Sequence, residues 1–306
     1  MTKVLIATEK PFAPKAVSLI KELCAEAKYD IEVLEKYESK DDLLKAVADA
    51  DALIVRSDKV TSEVIEAGKN LKIVVRAGAG YDNVDTEAAS ANGVVVMNTP
   101  GQNSNAVAEL AIGMMVYLAR NQFNGKAGTE LKDKKIGIHA FGNVGQYVAK
   151  IAQGFGMEVF AFDPFVDNSE IEKHGVKALD SVEDLYKTCQ YISLHIPAND
   201  KTKKSIGKGL LSLMPANACL VNTARKEVIH EDELLGIMES KTDFSYISDI
   251  APDCKDVFAE KYEGRYFFTP KKMGAQTNEA NINAGVAAAE QIINFIDKGD
   301  ETFKVN

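Results

Sequence analysis

Cationic side chains that follow predicted strands are the residues of this chain best suited to chemistry. Arg56 and Arg76 each come directly after a short apolar segment, and Arg225 follows the segment Cys219–Asn222. A guanidinium group presents paired N–H donors that match a carboxylate or a phosphate. These positions therefore predict an anion site. The alternatives are solvated arginines in surface ion pairs and, for Arg225, a cap on a helix end.

Two adjacent lysines, Lys271 and Lys272, follow the last predicted strand. Such a pair is usually a solvated loop. A lysine that is desolvated among other cations would have a lowered pKa and could serve as a general base. His195 also ends a strand, but no partner acid lies near it in sequence, so we expect it to be a loop residue or to line a cofactor rather than to catalyse.

A glycine-bearing turn indicates how a cofactor is held. Ala140, Gly142 and Gly145 connect the apolar segment Ile136–His139 to a helix, and Asp163 ends the next strand at close to the usual spacing of about 20 residues. The glycines allow backbone to approach a pyrophosphate, and the acid accepts hydrogen bonds from a ribose. A carboxylate at this point repels a 2′-phosphate, so NAD is predicted over NADP. The alternative is a βα turn that binds nothing.

Composition sets the limits of the class. The 306 residues carry 36 basic and 45 acidic side chains, a net charge of −9, which predicts no nucleic-acid or membrane partner. No apolar run is long enough to span a membrane or serve as a signal peptide. The four cysteines and four histidines are scattered, so we expect no metal site and a cytoplasmic protein.

Short apolar segments alternate with helical ones along the whole chain. The first 97 residues alone contain five predicted strands separated by helices, and the alternation resumes after Asp163. This pattern predicts an α/β protein with two doubly wound parallel sheets. Ligands of such sheets bind beyond the carboxyl ends of the strands.

Together, these segments resemble the D-isomer-specific 2-hydroxyacid dehydrogenase family, and within it the branch that acts on phosphoglycerate. The resemblance lies in the glycine turn and in the segments 53–57, 75–85, 98–101, 103–110, 193–197 and 222–225. It implies a Rossmann NAD-binding domain, residues 98–277, inserted into a flavodoxin-like substrate domain, residues 1–97 and 278–306.

The resemblance also implies a role for each matching residue. Substrate anions would be bound by Arg56, Arg76 and the backbone amides of Ala77 and Gly78, and Arg225 would hold the carboxylate and the reacting oxygen. The cofactor would be contacted by Ala140, Gly142, Asn143, Val144, Gly145, Asp163, His195, Ile196, Pro197, Thr223, Asp249 and Gly274. Among these, Asn143 and Val144 would touch the pyrophosphate, and Thr223 and Asp249 would lie near the nicotinamide.

The chain departs from the family where the acid–base histidine belongs. The family pattern Thr-Pro-His-x-Gly has no histidine here and gains one residue. Alignment on Gly274 gives its place to Lys272, which we prefer, and alignment on the preceding Thr-Pro gives it to Lys271. The family's glutamate falls on Cys254, and Lys226 replaces a glycine.

We expect NAD-dependent oxidation of 3-phospho-D-glycerate to 3-phosphohydroxypyruvate, the entry to serine biosynthesis, with a lysine as acid/base. One alternative is reduction of glyoxylate, hydroxypyruvate or another 2-keto acid, and another is a non-catalytic NAD-sensing protein. The family resemblance implies a homodimer, although the segment that forms the family's dimer arm is short here. It also implies a form without the regulatory domain found in some members.

Overall fold

The computed structural model describes all residues, 1–306, and they divide into two compact units. Unit 1 comprises Met1–Asn103 and Gln276–Asn306, and unit 2 comprises Ser104–Ala275. Strands and helices alternate in the first part of unit 1: β1 (Lys3–Thr8), α1 (Pro14–Glu26), β2 (Asp30–Glu35), α2 (Lys40–Val47), β3 (Ala52–Val55), α3 (Ser62–Ala67), β4 (Ile73–Arg76), α4 (Thr86–Ala91) and β5 (Val95–Asn98).

The sheet of unit 1 has five parallel strands in the order β2-β1-β3-β4-β5. Strand β3 is buried along its whole length, which explains its unbroken apolar sequence. The order reverses direction between β1 and β3, and a crevice for a ligand forms at the carboxyl ends of strands at such a point. Arg56 follows β3, and Arg76 is the last residue of β4, so both lie at this edge of the sheet.

Unit 2 continues the alternation through a longer set of elements. They are α5 (Ser104–Ala119), β6 (Lys135–His139), α6 (Asn143–Gly154), β7 (Glu158–Phe162), α7 (Asn168–Glu172), β8 (Lys177–Ala178), α8 (Val182–Thr188), β9 (Tyr191–Leu194), α9 (Lys208–Leu211), β10 (Cys219–Asn222), α10 (Glu231–Ser240), β11 (Ser245–Ser248), α11 (Lys255–Lys261) and β12 (Tyr266–Phe268).

The sheet of unit 2 has seven parallel strands in the order β12-β11-β10-β9-β6-β7-β8. Two apolar clusters cover its faces, one built around α5 and α6 and the other around α8, α9 and α10. The order reverses between β6 and β9, as in dinucleotide-binding sheets. The predicted fold class, two doubly wound parallel sheets, is therefore confirmed.

The last helix, α12 (Asn278–Lys298), returns to unit 1. It begins at Thr277, whose hydroxyl accepts a hydrogen bond from the amide of Ala280 at 3.1 Å, and it ends at Gly299 in the left-handed conformation. Its alanine-rich face packs with α1 against the sheet, and Gly285 allows the side chains of Ile20 and Phe12 to come close.

Candidate active site

The predicted cofactor turn lies at the point where the strand order of unit 2 reverses. Ala140 follows β6 in the left-handed conformation, with φ +79°, and Gly142 is the N-cap of α6. The helix begins at Asn143, so Asn143, Val144 and Gly145 form its first turn, where backbone N–H groups have no partner within the helix. The space where Gly142 would carry a Cβ is open, and the first turn has no acidic residue.

Gly145 serves packing rather than a ligand. A Cβ built on it would lie 2.5 Å from the carbonyl oxygen of Ala140 and 3.0 Å from a methyl of Ile138. Any larger residue would push α6 away from β6. The turn can thus hold an anion on the side of Gly142 because Gly145 keeps the helix close to the strand.

Asp163 follows β7, and each of its two carboxylate oxygens accepts a hydrogen bond from a backbone amide. Its Oδ2 accepts a hydrogen bond from the amide of Phe141 at 2.8 Å, and its Oδ1 accepts one from the amide of Phe165 at 2.9 Å. Each carboxylate oxygen has a further lone pair. The acid therefore stands beside the glycine turn with a set orientation and with acceptor capacity left for a hydroxyl pair.

His195 directly follows β9, the strand that lies next to β6 where the strand order of unit 2 reverses. Its amide donates to the carbonyl of His139 at 3.0 Å, and its Nε2 lies 2.9 Å from the Ser193 hydroxyl. Burial lowers the pKa of His195 to about 3 and the pKa of His139 to about 4. Both imidazoles are therefore neutral near pH 7, which favours a role in lining the cofactor site over a role in proton transfer. After them, Ile196 is buried and Pro197 is exposed.

The turn after β10 is braced by a buried asparagine. The Asn222 amide donates to the carbonyl of Arg225 at 2.9 Å and its Oδ1 accepts from the amide of Ala224 at 3.0 Å. The hydroxyl of Thr223 is buried and has no hydrogen-bond partner in the protein. A buried polar atom without a partner marks a place where a bound molecule can supply one.

Arg225 and Lys272 meet at one atom. Nη1 of Arg225 donates to the carbonyl oxygen of Ala224 at 2.9 Å, and Nζ of Lys272 donates to the same oxygen at 3.4 Å. Both side chains are exposed. Lys271 is also exposed, but its ammonium makes no hydrogen bond or ion pair within the chain. A fork-shaped cation and an amine are thus held together at the carboxyl edge of the unit 2 sheet.

Asp249 carries the loop that bears Lys272. Its side chain is 1% exposed, and Oδ1 accepts from the Thr269 hydroxyl at 3.0 Å and from the Met273 amide at 2.7 Å. Oδ2 accepts from the Gly274 amide at 2.7 Å. A Cβ on Gly274 would stand 2.9 Å from that oxygen, so the glycine is required by this contact. The sequence indicated Asp249 and Gly274 only as neighbours of a cofactor and missed their contact.

Cys254, at the position of the family's glutamate, is an uncharged thiol. Burial, together with a hydrogen bond to Glu231, raises its pKa to about 12. The Glu231 carboxylate accepts the amides of Asp253 and Cys254 at 3.0 and 2.9 Å, and Lys226 pairs with Asp253 at 2.7 Å. Glu231 was not indicated by the sequence because it resembles any acid in the first turn of a helix.

In unit 1, the two arginines have different surroundings. Nη1 of Arg56 donates to the carbonyls of Lys10 and Pro11 at 3.2 and 3.0 Å, and Nη2 donates to Asn281. The guanidinium also lies 5.2 Å from the ring centroid of Phe12. Three of the five N–H donors of Arg56 are therefore used to join a loop, a strand end and α12, and two are left for a substrate.

Arg76 keeps its two outer nitrogens available. Its Nε donates to the carbonyl of Arg56 at 2.8 Å, whereas Nη1 and Nη2 make no hydrogen bond within the protein. A Cβ on Gly78 would lie 1.8 Å from Nη1, so the guanidinium folds over this residue because it is glycine. The amides of Ala77 and Gly78, which we expected to bind an anion, already donate to carbonyls of Val55 and Arg76, both at 2.8 Å.

Other kinds of site are not found. No group of three or more His, Cys, Asp or Glu side chains is arranged to hold a metal ion, and all four cysteines are unpaired. None of the helices has the length and apolar character needed to cross a membrane.

Comparisons with known proteins agree with the fold. A crystal structure of NAD+-bound 3-phosphoglycerate dehydrogenase from Entamoeba histolytica is 47% identical with a TM-score of 0.85, and the match covers 100% of this chain and 98% of that one. D-3-phosphoglycerate dehydrogenase of Methanocaldococcus jannaschii is 36% identical over 95% of this chain and 57% of its own. Hydroxypyruvate reductase of Thermotoga maritima is 35% identical over 87% and 91%.

The chain spans about half the length of most of the curated phosphoglycerate dehydrogenases that it matches, for example 48% of the Synechocystis protein. The family model described as the catalytic domain of D-isomer specific 2-hydroxyacid dehydrogenase matches residues 4–306. The resemblance inferred from the motifs is therefore confirmed, and the chain belongs to the D-isomer-specific 2-hydroxyacid dehydrogenase family.

Proposed function

We propose that this chain catalyses the NAD-dependent oxidation of 3-phospho-D-glycerate to 3-phosphohydroxypyruvate, the entry to serine biosynthesis. The observation that carries the proposal is the shared carbonyl of Ala224, which holds the cation of Arg225 and the amine of Lys272 at one point. The 47% identity to a 3-phosphoglycerate dehydrogenase supports the choice of substrate.

Residues of unit 2 would bind NAD, and Arg76 of unit 1 would bind one anionic group of the substrate. The N–H groups of Asn143 and Val144 suit a pyrophosphate, Asp163 suits the ribose hydroxyls, and Thr223 has a hydroxyl in need of a partner. Bound NAD+ would accept the hydride from the substrate. In unit 1, Arg76 has free donors for a carboxylate or phosphate, and Arg56 holds the surrounding loop in place.

In this mechanism the C–H electron pair leaves C2 of the substrate as hydride, and Lys272 accepts the hydroxyl proton as the carbonyl forms. Arg225 binds the substrate carboxylate and stabilises negative charge on the reacting oxygen. Only a neutral lysine can accept a proton, so the rate of oxidation should rise with pH.

The test compares Lys272→Ala with Lys271→Ala, which removes a neighbouring ammonium from the same loop. Loss of a general base costs about 10²–10⁴-fold in rate, so Lys272→Ala should lower kcat by that much in an NADH absorbance assay, while Lys271→Ala should stay near wild type. NAD binding by both variants, measured by calorimetry, should be unchanged. Near-normal turnover by Lys272→Ala, or no oxidation of 3-phosphoglycerate by wild type, would refute the mechanism.

A second candidate is the reduction of hydroxypyruvate, glyoxylate or a related 2-keto acid. It is favoured by the similarity to the Thermotoga hydroxypyruvate reductase, which this chain matches over 91% of that protein. The contacts of Arg56 also favour it, because this guanidinium already donates to groups of the protein. A substrate with one anionic group needs fewer free guanidinium donors than one with two. A comparison of kcat/KM for phosphorylated and unphosphorylated substrates decides between the two. NAD binding without turnover of any of them would indicate an NAD sensor.

We also propose that the protein is a cytoplasmic homodimer. The unpaired cysteines suit a reducing compartment, and the family resemblance supports the dimer. Sedimentation velocity at several concentrations tests the oligomeric state.

A further inference from the structure

The loop that carries Lys272 is bound by the buried carboxylate of Asp249. This residue directly follows β11, and its own amide donates to the carbonyl of Asn222 at 2.9 Å, so its backbone is fixed by the sheet. Its side chain then receives three hydrogen bonds, from Thr269, Met273 and Gly274. Met273 and Gly274 directly follow Lys272 in the chain, and Thr269 is the first residue after β12.

These contacts are of the strong kind. A carboxylate that accepts N–H donors forms charge-assisted hydrogen bonds, about twice as strong as neutral ones. The two amide contacts are 2.7 Å long, and the side chain is 1% exposed, so water does not compete for them. The loop therefore takes its shape from Asp249, and the position of the Lys272 backbone is set from one side by this carboxylate.

We propose that Asp249 is a positioning residue for Lys272, and that it acts on the chemical step through the loop. This inference rests on the proposed role of Lys272. It assigns Gly274 a matching part, because only a residue without a Cβ lets the loop amide come within hydrogen-bond distance of Oδ2.

Asp249→Asn is the substitution that changes the shape of this side chain least. One amide oxygen can still accept from two of the three donors, but the –NH₂ group then faces the N–H of Gly274, where two donors oppose each other. The loop should shift at this point. A displacement of about 1 Å in a catalytic group can cost about 10²-fold in rate, so kcat should fall by about 10- to 100-fold while KM for the substrate changes little.

A double-mutant cycle separates positioning from other roles. If Asp249 acts through Lys272, Asp249→Asn should lower kcat strongly in the wild type and hardly at all when Lys272 is already alanine. Additive losses, or a loss of NAD affinity with unchanged kcat, would overturn the proposal. The matched control is Asp243→Asn, an exposed carboxylate in the same unit that accepts the Asn217 amide at 2.6 Å.

Hydrogen exchange gives a result that does not depend on activity. In Asp249→Asn the amides of Met273 and Gly274 should exchange faster, whereas Asp243→Asn should leave them as in the wild type. Unchanged exchange at these two amides would overturn the proposal even if the enzyme were impaired. If Asp249→Asn does not fold, Thr269→Val removes one of the three donors and should give a smaller change in the same two measurements. Failure of the proposed function is distinct, because it shows as full activity of Lys272→Ala.

Discussion

Ala140 occupies a position that glycine would fill at lower cost. It is the first residue after β6, it is half-buried, and its φ of +79° lies in the left-handed region. A residue with a Cβ costs about 1–2 kcal/mol in this conformation. Ala140 stands at the start of the cofactor turn, where related dinucleotide-binding turns have glycine and avoid this cost. We predict that Ala140→Gly removes the cost.

The magnitude follows from three contributions. Relief of the left-handed conformation stabilises the fold by about 1–2 kcal/mol. The greater freedom of glycine in the unfolded chain costs about 0.4–1 kcal/mol, and loss of a half-buried methyl costs about 0.4 kcal/mol, half of the value for full burial. The free energy of unfolding of the variant should therefore lie between about 0.4 kcal/mol below and about 1.2 kcal/mol above that of the wild type.

Ala119→Gly is the matched control. Ala119 is the last residue of α5, it is half-buried in the same unit, and its backbone is helical. It shares the two unfavourable contributions and lacks the relief, so it should be destabilised by about 1 kcal/mol. Urea unfolding monitored by circular dichroism measures both variants. Equal destabilisation of the two variants would contradict the prediction, because it would show that the backbone at Ala140 is not strained.

Three further predictions follow from the site. Gly78→Ala should displace the Arg76 guanidinium, since its Cβ would lie 1.8 Å from Nη1, and should raise KM for the anionic substrate about tenfold or more; an unchanged KM would exclude Arg76 from binding. Asp163→Asn removes the charge that repels a 2′-phosphate, so the ratio of NADP to NAD affinity should rise in competition binding, and a constant ratio would contradict the assignment. Burial lowers the pKa of His139 to about 4 and of His195 to about 3. Below pH ~6.5 these histidines therefore bind protons in the unfolded chain but remain neutral in the folded protein. The free energy of unfolding should fall towards pH ~4 by up to roughly 1.4 kcal/mol per pH unit for each histidine, and His139→Gln should show a shallower slope.

The fold was predictable where strands are buried on both faces. Strands β3 (Ala52–Val55), β7 (Glu158–Phe162) and β10 (Cys219–Asn222) have the bounds that the sequence predicts, because a short, mainly apolar segment suits a strand of a parallel sheet that is covered on both faces. Helices α7 and α11 were missed. Each contains a single buried side chain, Ile171 and Phe258, so neither sequence carries a periodic apolar pattern to detect.

The site was predictable in its residue types but not in its contacts. Position at a strand end indicated Arg56 and Arg76 equally, yet the partners that occupy Arg56 come from a loop near residue 11 and from Asn281 in the last helix. The use of the Ala77 and Gly78 amides depends on the turn after β4, which motif matching does not describe. Hydrogen bonds between residues distant in sequence decide which donors remain free, and no local pattern records them.

If Lys272 is the base, as proposed, one physical requirement explains why both the family's histidine and its glutamate are replaced in this chain. A histidine base benefits from a carboxylate that orients its ring and stabilises the imidazolium. A lysine base must be neutral to accept a proton, and a nearby carboxylate would favour its charged form. Cys254, with a pKa of about 12, carries no charge at neutral pH. The amides of residues 253 and 254 are bound by Glu231, so the loop at this position keeps its own anchor without the glutamate. Under the proposed mechanism, the other task of the glutamate, orientation of the base, would fall to Asp249, which accepts hydrogen bonds from two backbone amides of the loop that carries Lys272.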